Sequence, residues 1–152
     1  MSEAPTVSVA SEDDLDGLTT LFEAYLAFYG RPAERAAVRE FLGARMSRGE
    51  SVVLVARMRD ELAGFAQLYP TFSSLRLASA WIFNDLFVAP GFREGGVGRA
   101  LCEYAIDHAR RSVASTVSLQ TAHSNHAAQS LYRRLGFAAD EEFQSWSLAV
   151  GI

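Results

Sequence analysis

Residues 84–101 read NDLFVAPGFREGGVGRAL, and this stretch decides the fold. It begins with Asn84 and Asp85 followed by three apolar residues, a pattern typical of a short buried strand. Glycines at 95, 96 and 98 then permit a tight turn, and apolar residues of helical period follow them. The unpaired N–H groups at the start of such a helix would lie beside the turn, which predicts a site for a phosphate-bearing ligand.

Segments typical of strands and helices alternate along the rest of the chain, without a linker or an internal repeat. Pro70 is expected to end one strand, and Gly136 is expected to end the last helix. The predicted strands are 7–10, 51–57, 62–69, 80–88, 116–121 and 143–150, and the predicted helices are 11–30, 32–46, 98–111 and 124–135. The order β-α-α-β-β-β-α-β-α-β predicts one α/β domain over residues 1–152, with a mixed, mostly antiparallel sheet flanked by helices.

Composition excludes several classes of protein. The chain has 152 residues, 49% of them hydrophobic, which suits one globular domain. Its single cysteine, Cys102, cannot form an internal disulfide, and His123 and His126 lack further ligands at useful spacing, so no metal site is predicted. The first ten residues carry no basic residue, and no apolar run is long enough to span a membrane. We therefore expect a cytoplasmic protein without a membrane partner.

The net charge of −4 argues against a nucleic-acid partner and suits a cationic substrate. Two known phosphate-binding loops can be compared with the glycine-rich turn. A P-loop requires a Gly-Lys-Ser/Thr triplet, which the sequence lacks. A dinucleotide fingerprint requires glycine or alanine where this chain has Leu101, and it opens the first βα unit of a domain. We reject both loops, and a nicotinamide titration would exclude a dinucleotide-binding oxidoreductase fragment.

Two blocks of the sequence resemble one enzyme superfamily. Arg93, Gly96 and Gly98 form the spacing Arg-x-x-Gly-x-Gly, which resembles the acetyl-CoA pyrophosphate-binding motif of the GNAT superfamily of N-acetyltransferases. Residues 125–137, NHAAQSLYRRLGF, resemble that superfamily's block Asn-x-x-Ala-x-x-Leu/Phe-Tyr-x-x-x-Gly-Phe. Residues 84–88 look most like the diamine (spermidine/spermine-type) branch, which commonly has two consecutive acids where this chain has Asn84 and Asp85. The resemblance extends over nearly the whole chain.

The resemblance implies that acetyl-CoA (coenzyme A) is the cofactor, and it assigns residues to that cofactor. The backbone of residues 86–88 would pair with the pantetheine arm, at an edge where this strand and the next splay apart. The turn would hold the pyrophosphate mainly through backbone N–H groups, with Arg93 and Arg99 at its rim, and Asn125 would hydrogen-bond the cofactor arm. The implied cofactor-binding residues are Leu86, Phe87, Val88, Arg93, Glu94, Gly95, Gly96, Val97, Gly98, Arg99, Asn125 and Tyr132.

The resemblance also implies that a primary amine attacks the acetyl carbonyl directly, in a ternary complex without an acetyl-enzyme. Tyr132 would protonate the leaving sulfur as a general acid, and a backbone N–H near Phe87 or Val88 would stabilise the oxyanion. Asp85 is the candidate for the base, although a structural aspartate bonded to the backbone or to a nearby arginine is an equally good interpretation. Tyr132 and Asp85 are therefore the predicted catalytic residues.

Aromatic side chains can receive a cationic acceptor through their ring faces. The resemblance implies an acceptor site between the first helices and the motif strand, where Tyr69 and Phe72 could join such an aromatic wall, although aromatic residues at helical spacing more often belong to the core. The substrate-binding residues predicted mainly from this resemblance are Tyr25, Phe28, Tyr29, Trp81 and Asn84. The diamine-like strand and the acidic balance favour a small cationic amine or polyamine. Other small amines such as amino acids or aminoglycosides, and protein lysines or N-termini, stay open as acceptors.

One alternative belongs to a different class, a non-catalytic acyl-CoA-binding domain that acts as a sensor. Asn84, in place of an acid, favours the sensor, whereas the intact second block favours an enzyme. The resemblance also implies a homodimer, because such domains often pair through their C-terminal strands, and the segment 143–152 is apolar enough to do so.

Overall fold

The computed structural model describes residues 3–151, which form two compact units, the first ending at Gln120 and the second beginning at Thr121. Within these residues the first unit contains β1 (Thr6–Val9), α1 (Leu15–Phe28), α2 (Arg35–Ser47), β2 (Val52–Met58), β3 (Glu61–Ser73), β4 (Ala78–Val88), α3 (Val97–Arg111) and β5 (Val117–Leu119). Short 3₁₀ turns lie at Glu12–Asp14 and Pro90–Phe92. The second unit contains α4 (His126–Arg134).

The five strands form one sheet in the order β1-β2-β3-β4-β5. The pairs from β1 to β4 are antiparallel, because short turns connect most of them, and β5 joins β4 in parallel after the crossover through α3. This topology confirms the predicted mixed, mostly antiparallel sheet flanked by helices.

The two faces of the sheet carry different helices. Val53 and Val55 of β2 belong to a buried cluster that α1 and α2 complete, with Leu18, Phe22, Val38, Leu42, Phe65 and Phe87 among its members. Leu54 and Ala56 alternate with these valines and are also fully buried. Because successive strand residues point to opposite faces, they face the other layer, where α3 contacts β2, β3 and β4. The sheet is therefore covered on both faces.

The prediction that Pro70 ends a strand is wrong. β3 continues to Ser73, with Pro70 opposite Trp81 of β4, and the connection to β4 shortens to residues 74–77. The pairing of β3 with β2 ends at Leu68, so β3 has a neighbour on one side only at Pro70. A proline is tolerated there because its missing N–H falls on an edge without a ladder.

The predicted last strand, residues 143–150, does not form. Within the described residues no helix or strand follows α4, and the second unit by itself contains no strand to which this segment could pair. Alternating polarity indicates a half-buried strand only when a hydrogen-bonding neighbour is available. The large apolar side chains of the segment are exposed instead, namely Phe143, Trp146, Leu148 and Val150. The homodimer through residues 143–152 stays a prediction, and Ile152 lies outside the described residues.

Gly64 permits the close approach of β3, β4 and α3. A Cβ atom at this position would lie 2.6 Å from the Phe87 carbonyl oxygen and 3.2 Å from Cγ1 of Val97. The Gly64→Ala substitution is therefore expected to destabilise the fold by about 2 kcal/mol and to lower Tm by roughly 4–8 °C, because backbone must shift to admit one methyl group. Thermal unfolding followed by circular dichroism measures this change.

Gly91→Ala is the matched control for that substitution. A Cβ atom at Gly91 would meet nothing within 4 Å, and this glycine is not in the left-handed region. Its effect on stability should stay within about 0.5 kcal/mol. Equal Tm values for the two variants would contradict the assignment of Gly64 to a backbone contact.

Candidate active site

The C-terminal part of β4, residues 84–88, has an open edge on the side of β5. β5 pairs with β4 only from Trp81 to Phe83, while β4 continues to Val88 paired with β3. Residues 84–88 therefore have a sheet neighbour on one side only within the described part of the chain. Apart from the Val88 carbonyl, which accepts a hydrogen bond from Arg93, backbone groups on the other side are available to an extended ligand, which can bind as an additional strand.

The turn after β4 presents backbone N–H groups at the surface. Glu94 and Gly96 both have left-handed backbone, with φ of +67° and +82°, and Gly96 is the N-cap residue directly before α3. Residues 93–96 are exposed, whereas the Val97 side chain is buried against the sheet. The first four N–H groups of a helix have no partner within it, so the start of α3 offers donors to an anion.

The two arginines of the turn make different contacts. Arg93 Nε donates a hydrogen bond to the Val88 carbonyl oxygen at 3.0 Å, and the guanidinium lies over the rings of Phe28 and Phe87. Arg93 thus connects the turn to the end of β4. Arg99 Nε donates to Glu103 at 2.8 Å along the exposed surface of α3.

Asp85 is a buried carboxylate held by side-chain donors. Its Oδ1 accepts hydrogen bonds from the Tyr25 hydroxyl at 2.7 Å and from Asn84 Nδ2 at 3.2 Å, and its Oδ2 accepts one from Gln67 Nε2 at 2.9 Å. Asp85 is 7% exposed and Gln67 fully buried. The donors are thus neither the backbone nor the arginine that the structural interpretation of this aspartate expected.

A β-bulge produces this arrangement. Gln67 pairs with Asp85 whereas the next residue, Leu68, pairs with Phe83, so Asn84 is an extra residue in β4. Asn84 is exposed and Asp85 buried. Bulges bend a strand and redirect its side chains, and they are common beside active sites.

A cavity of about 590 Å³ adjoins Asp85. This volume lies within the range of ligand pockets, roughly 300–1,000 Å³. Within the described chain Asp85 and Arg31 are its charged lining residues, and the complete lining is Phe22, Tyr25, Leu26, Tyr29, Arg31, Phe41, Tyr69, Asn84 and Asp85. The cavity is therefore mainly aromatic, with an acid at one place and a guanidinium at another.

Burial and Asp85 raise the pKa of two tyrosines of the cavity, Tyr25 and Tyr69. Burial raises the pKa of Tyr25 far above its usual value, and the hydrogen bond to Asp85 adds to the increase. Burial and the charge of Asp85 also raise the pKa of Tyr69, although Arg45 opposes the increase. Both phenols are consequently neutral at physiological pH, so Tyr25 can donate to Asp85 and accept a hydrogen bond from a ligand.

The structure brings only part of the predicted aromatic wall together. Tyr25, Tyr29 and Tyr69 line the cavity with Asn84. Trp81 instead donates from Nε1 to Ser112 Oγ at 2.9 Å and packs on His108 of α3, on the other face of the sheet. Phe28 and Phe72 are also not lining residues; they are 62% and 84% exposed, and Phe28 lies beneath Arg93.

Sequence reasoning missed five residues of this site, namely Phe22, Leu26, Gln67, Arg31 and Phe41. Gln67 interrupts an apolar strand, and a polar residue at such a position usually has a specific partner. Arg31 follows the glycine that ends α1, and Phe41 lies in α2. Arg31 and Phe41 do not belong to a recognisable sequence motif, because only the packing of the helices brings them to the cavity.

The second unit contains the predicted residues Asn125 and Tyr132. Asn125 begins α4, and its Oδ1 accepts a hydrogen bond from the Ala128 N–H at 3.1 Å. Tyr132 is 9% exposed and packs edge-on against Phe137, with ring centroids 5.7 Å apart. Gly136 has φ of +100°, as expected of a glycine that ends a helix.

Cys102 is unsuited to nucleophilic chemistry. Its side chain is buried in α3, and burial raises the pKa of its thiol to about 12. The reactive form of cysteine is the thiolate, which is scarce at physiological pH with such a pKa.

An open strand edge beside a helix start with exposed N–H groups suits a ligand that has an extended arm and an anionic end, and a cavity adjoins them. Residues 18–137 match the sequence profile of the acetyltransferase (GNAT) family. The chain is 40% identical to the uncharacterised N-acetyltransferase YhfO of Bacillus subtilis (strain 168), over 93% of this chain and 95% of that one. It belongs to the GNAT family and is an N-acetyltransferase.

Two further relatives agree with this assignment. The crystal structure of a probable acetyltransferase superposes with a TM-score of 0.92 at 38% identity, over 97% of this chain and 99% of that one. The streptothricin acetyltransferase of Streptomyces lavendulae is 38% identical over 63% of this chain and 49% of its own length.

Among residues 3–151, no helix combines the length and the apolar character that crossing a membrane requires. The same residues include no group of three or more His, Cys, Asp or Glu side chains placed to hold a metal ion.

Proposed function

We propose that the protein transfers the acetyl group of acetyl-CoA to the primary amine of a small molecule that binds in the tyrosine-lined cavity. The observation that carries this proposal is the open edge of β4, which leads directly into the exposed turn at the start of α3. Arg93 joins the two features through the Val88 carbonyl oxygen. Together they offer a surface for an extended arm that ends in a diphosphate.

The residues present suit acetyl-CoA, which would supply the activated acetyl group. Backbone groups of Leu86, Phe87 and Val88 would bind the pantetheine arm. The N–H groups between Arg93 and Arg99 would bind the diphosphate, because the left-handed backbone at Gly96 and the start of α3 point donors outward. The buried Val97 side chain and the paired Arg99 indicate that backbone matters more than side chains here.

We infer that Asp85 and Tyr25 remove the proton of the attacking amine. An alkyl amine with a pKa near 10 arrives mostly protonated. The Tyr25 oxygen can accept that proton while the phenol proton moves to Asp85 Oδ1 over the 2.7 Å hydrogen bond. The neutral amine nitrogen would then form its bond to the acetyl carbon as the carbon–sulfur bond breaks, and the nitrogen would lose its second proton to solvent as it becomes an amide.

Asn125 and Tyr132 are assigned from their sequence block. Asn125 Oδ1 caps α4, so its Nδ2 is the group proposed to donate to the cofactor arm. Tyr132 is proposed to return a proton to the departing thiolate. The high pKa of the Cys102 thiol supports direct transfer in a ternary complex rather than through an acetyl-cysteine.

A small amine is the favoured acceptor class. Three tyrosine rings and one carboxylate line the cavity and suit a single ammonium group. The relative named as a streptothricin acetyltransferase also acts on a small molecule by its name. Polyamines, which the diamine-like strand favours, belong in the acceptor panel beside amino acids, aminoglycosides and peptides with free amines.

Free thiol release from acetyl-CoA, measured with that panel, tests the proposed function. Turnover with at least one small amine is expected. Binding of acetyl-CoA without turnover for every amine would favour the non-catalytic sensor.

Replacing Tyr132 with phenylalanine is expected to lower kcat by about 100-fold, because general acids commonly contribute about 10²–10⁴-fold and a thiolate is already a fair leaving group. The Kd for acetyl-CoA should change by less than about twofold, since the ring is retained. Tyr104→Phe, at a tyrosine of α3 outside the cavity lining, is the matched control. An unchanged kcat in Tyr132→Phe would remove this hydroxyl from the reaction.

A further inference from the structure

The two charged residues of the cavity differ in how far their hydrogen-bonding capacity is used. Asp85 accepts three hydrogen bonds from Tyr25, Asn84 and Gln67, so most of the roughly four lone-pair sites of its carboxylate are occupied. Arg31 lines the same cavity, and within residues 3–151 its guanidinium has no ion pair or hydrogen bond. The cavity therefore presents one unused fork of positive N–H donors.

The backbone at the end of α1 holds Arg31 in place. The Gly30 N–H donates to the Ala27 carbonyl at 3.0 Å, and the Arg31 N–H donates to the Leu26 carbonyl at 2.9 Å. These two bonds, with Gly30 at φ of +68°, form the Schellman motif that ends many helices. The direction in which the chain leaves α1 is consequently fixed, and from this position the exposed Arg31 side chain lines the cavity.

Arg45, another guanidinium near the cavity, is already engaged. It donates to Glu50 at 3.1 Å and lies 4.8 Å from the centroid of the Phe41 ring. Its charge lowers the pKa of Tyr69 against the larger effect of burial, which shows that it adds positive potential near the cavity. The cavity thus has one well-satisfied acid and one unpaired guanidinium in its lining, with the paired Arg45 nearby, an arrangement unfavourable for a polycation.

We propose that the acceptor carries a carboxylate in addition to its primary amine, and that Arg31 binds this carboxylate. The proposal rests on the proposed function and narrows its substrate class to amino acids and similar amino-carboxylates. A planar guanidinium can bind both oxygens of a carboxylate at once, which a tyrosine-lined wall cannot do. The ammonium group then lies toward Tyr25 and Asp85, and the carboxylate toward the end of α1.

Paired acceptors that differ by the carboxylate test the proposal, with free thiol release as the assay. Suitable pairs are phenylalanine with phenethylamine and lysine with cadaverine, and spermidine serves as the polycation. Losing the carboxylate also changes the basicity of the amine. The decisive quantity is therefore the kcat/KM for the amino acid divided by the kcat/KM for the amine without the carboxylate. This ratio is compared between the wild type and Arg31→Gln.

The Arg31→Gln substitution is expected to reduce this ratio by about tenfold or more, which corresponds to the loss of one hydrogen-bonded charge pair. Arg31→Lys, which keeps the charge without the fork, should give an intermediate ratio. Arg48→Gln removes the same charge from an exposed position outside the cavity lining and should leave the ratio unchanged. Equal Tm values for the arginine variants would show that the fold is retained.

Two outcomes would overturn the proposal. An unchanged ratio in Arg31→Gln would show that this side chain does not bind the carboxylate of the acceptor. Preferential turnover of spermidine by the wild type would show that the cavity prefers a polycation. In both cases thiol release still occurs with some amines, so the proposed acetyl transfer is retained. If none of the amines caused thiol release, the proposed function and this inference would both be wrong.

Discussion

Replacing Gly96 with valine is expected to raise the Kd for acetyl-CoA at least about 100-fold, because two or more charge-assisted hydrogen bonds to the diphosphate would be lost. Gly96 has φ of +82°, which a β-branched residue rarely adopts. The peptide units of the turn must therefore rotate, and their N–H groups no longer converge. Isothermal titration with acetyl-CoA measures the effect.

The fold should survive this substitution. A Cβ atom at Gly96 would meet nothing within 4 Å, so the position has room for the start of a side chain. The remaining cost is the left-handed backbone, about 1–2 kcal/mol for an L-residue.

Gly49→Val supplies a matched control for the strain itself. Gly49 lies after the end of α2, has φ of +64°, and would also place its Cβ in open space. We expect a similar loss of stability with an unchanged Kd for acetyl-CoA. Equal affinity losses in the two variants would show that the effect at Gly96 is general strain, and normal affinity in Gly96→Val would show that the turn does not bind the diphosphate.

Local patterns were sufficient to predict the elements around the turn. Glycines and capping residues fix where a chain changes direction, so the strand ending at Val88 and the helix ending at Arg111 were predicted to within one or two residues at either end. These features depend on neighbours in sequence. The sequence blocks that indicated the family also lie within single segments.

Features that depend on a distant neighbour were not predictable. Pro70 ends a strand only if both of its sides are paired, and the sequence does not reveal that β2 stops at Leu68. Residues 143–150 have the alternation of a strand but lack a partner in their own unit. Likewise the bulge at Asn84, where Asp85 pairs with Gln67 but Phe83 pairs with Leu68, is a property of two strands in register.

The role of Asp85 is the point on which the proposed chemistry depends most. The Asp85→Asn substitution is expected to lower kcat/KM for alkyl amines by about 100- to 1,000-fold, in the range of a lost general base. Thermal stability should change by only a few degrees, because the buried Gln67 Oε1 has no hydrogen-bond partner in the described chain. Rotating the Gln67 amide would let this oxygen accept a hydrogen bond from the new amide group.

Changing the acceptor separates a base from a merely structural aspartate. An amine that is already unprotonated at neutral pH does not need a base, so the loss caused by Asp85→Asn should shrink to about tenfold or less for such an acceptor. Raising the pH toward the pKa of an alkyl amine, near 10, should shrink the loss in the same way. Asp13→Asn removes a charge from an exposed residue of the turn before α1 and should behave as the wild type. An equal loss for every acceptor and at every pH would mean that Asp85 only positions Tyr25, since a displaced phenol affects all amines alike.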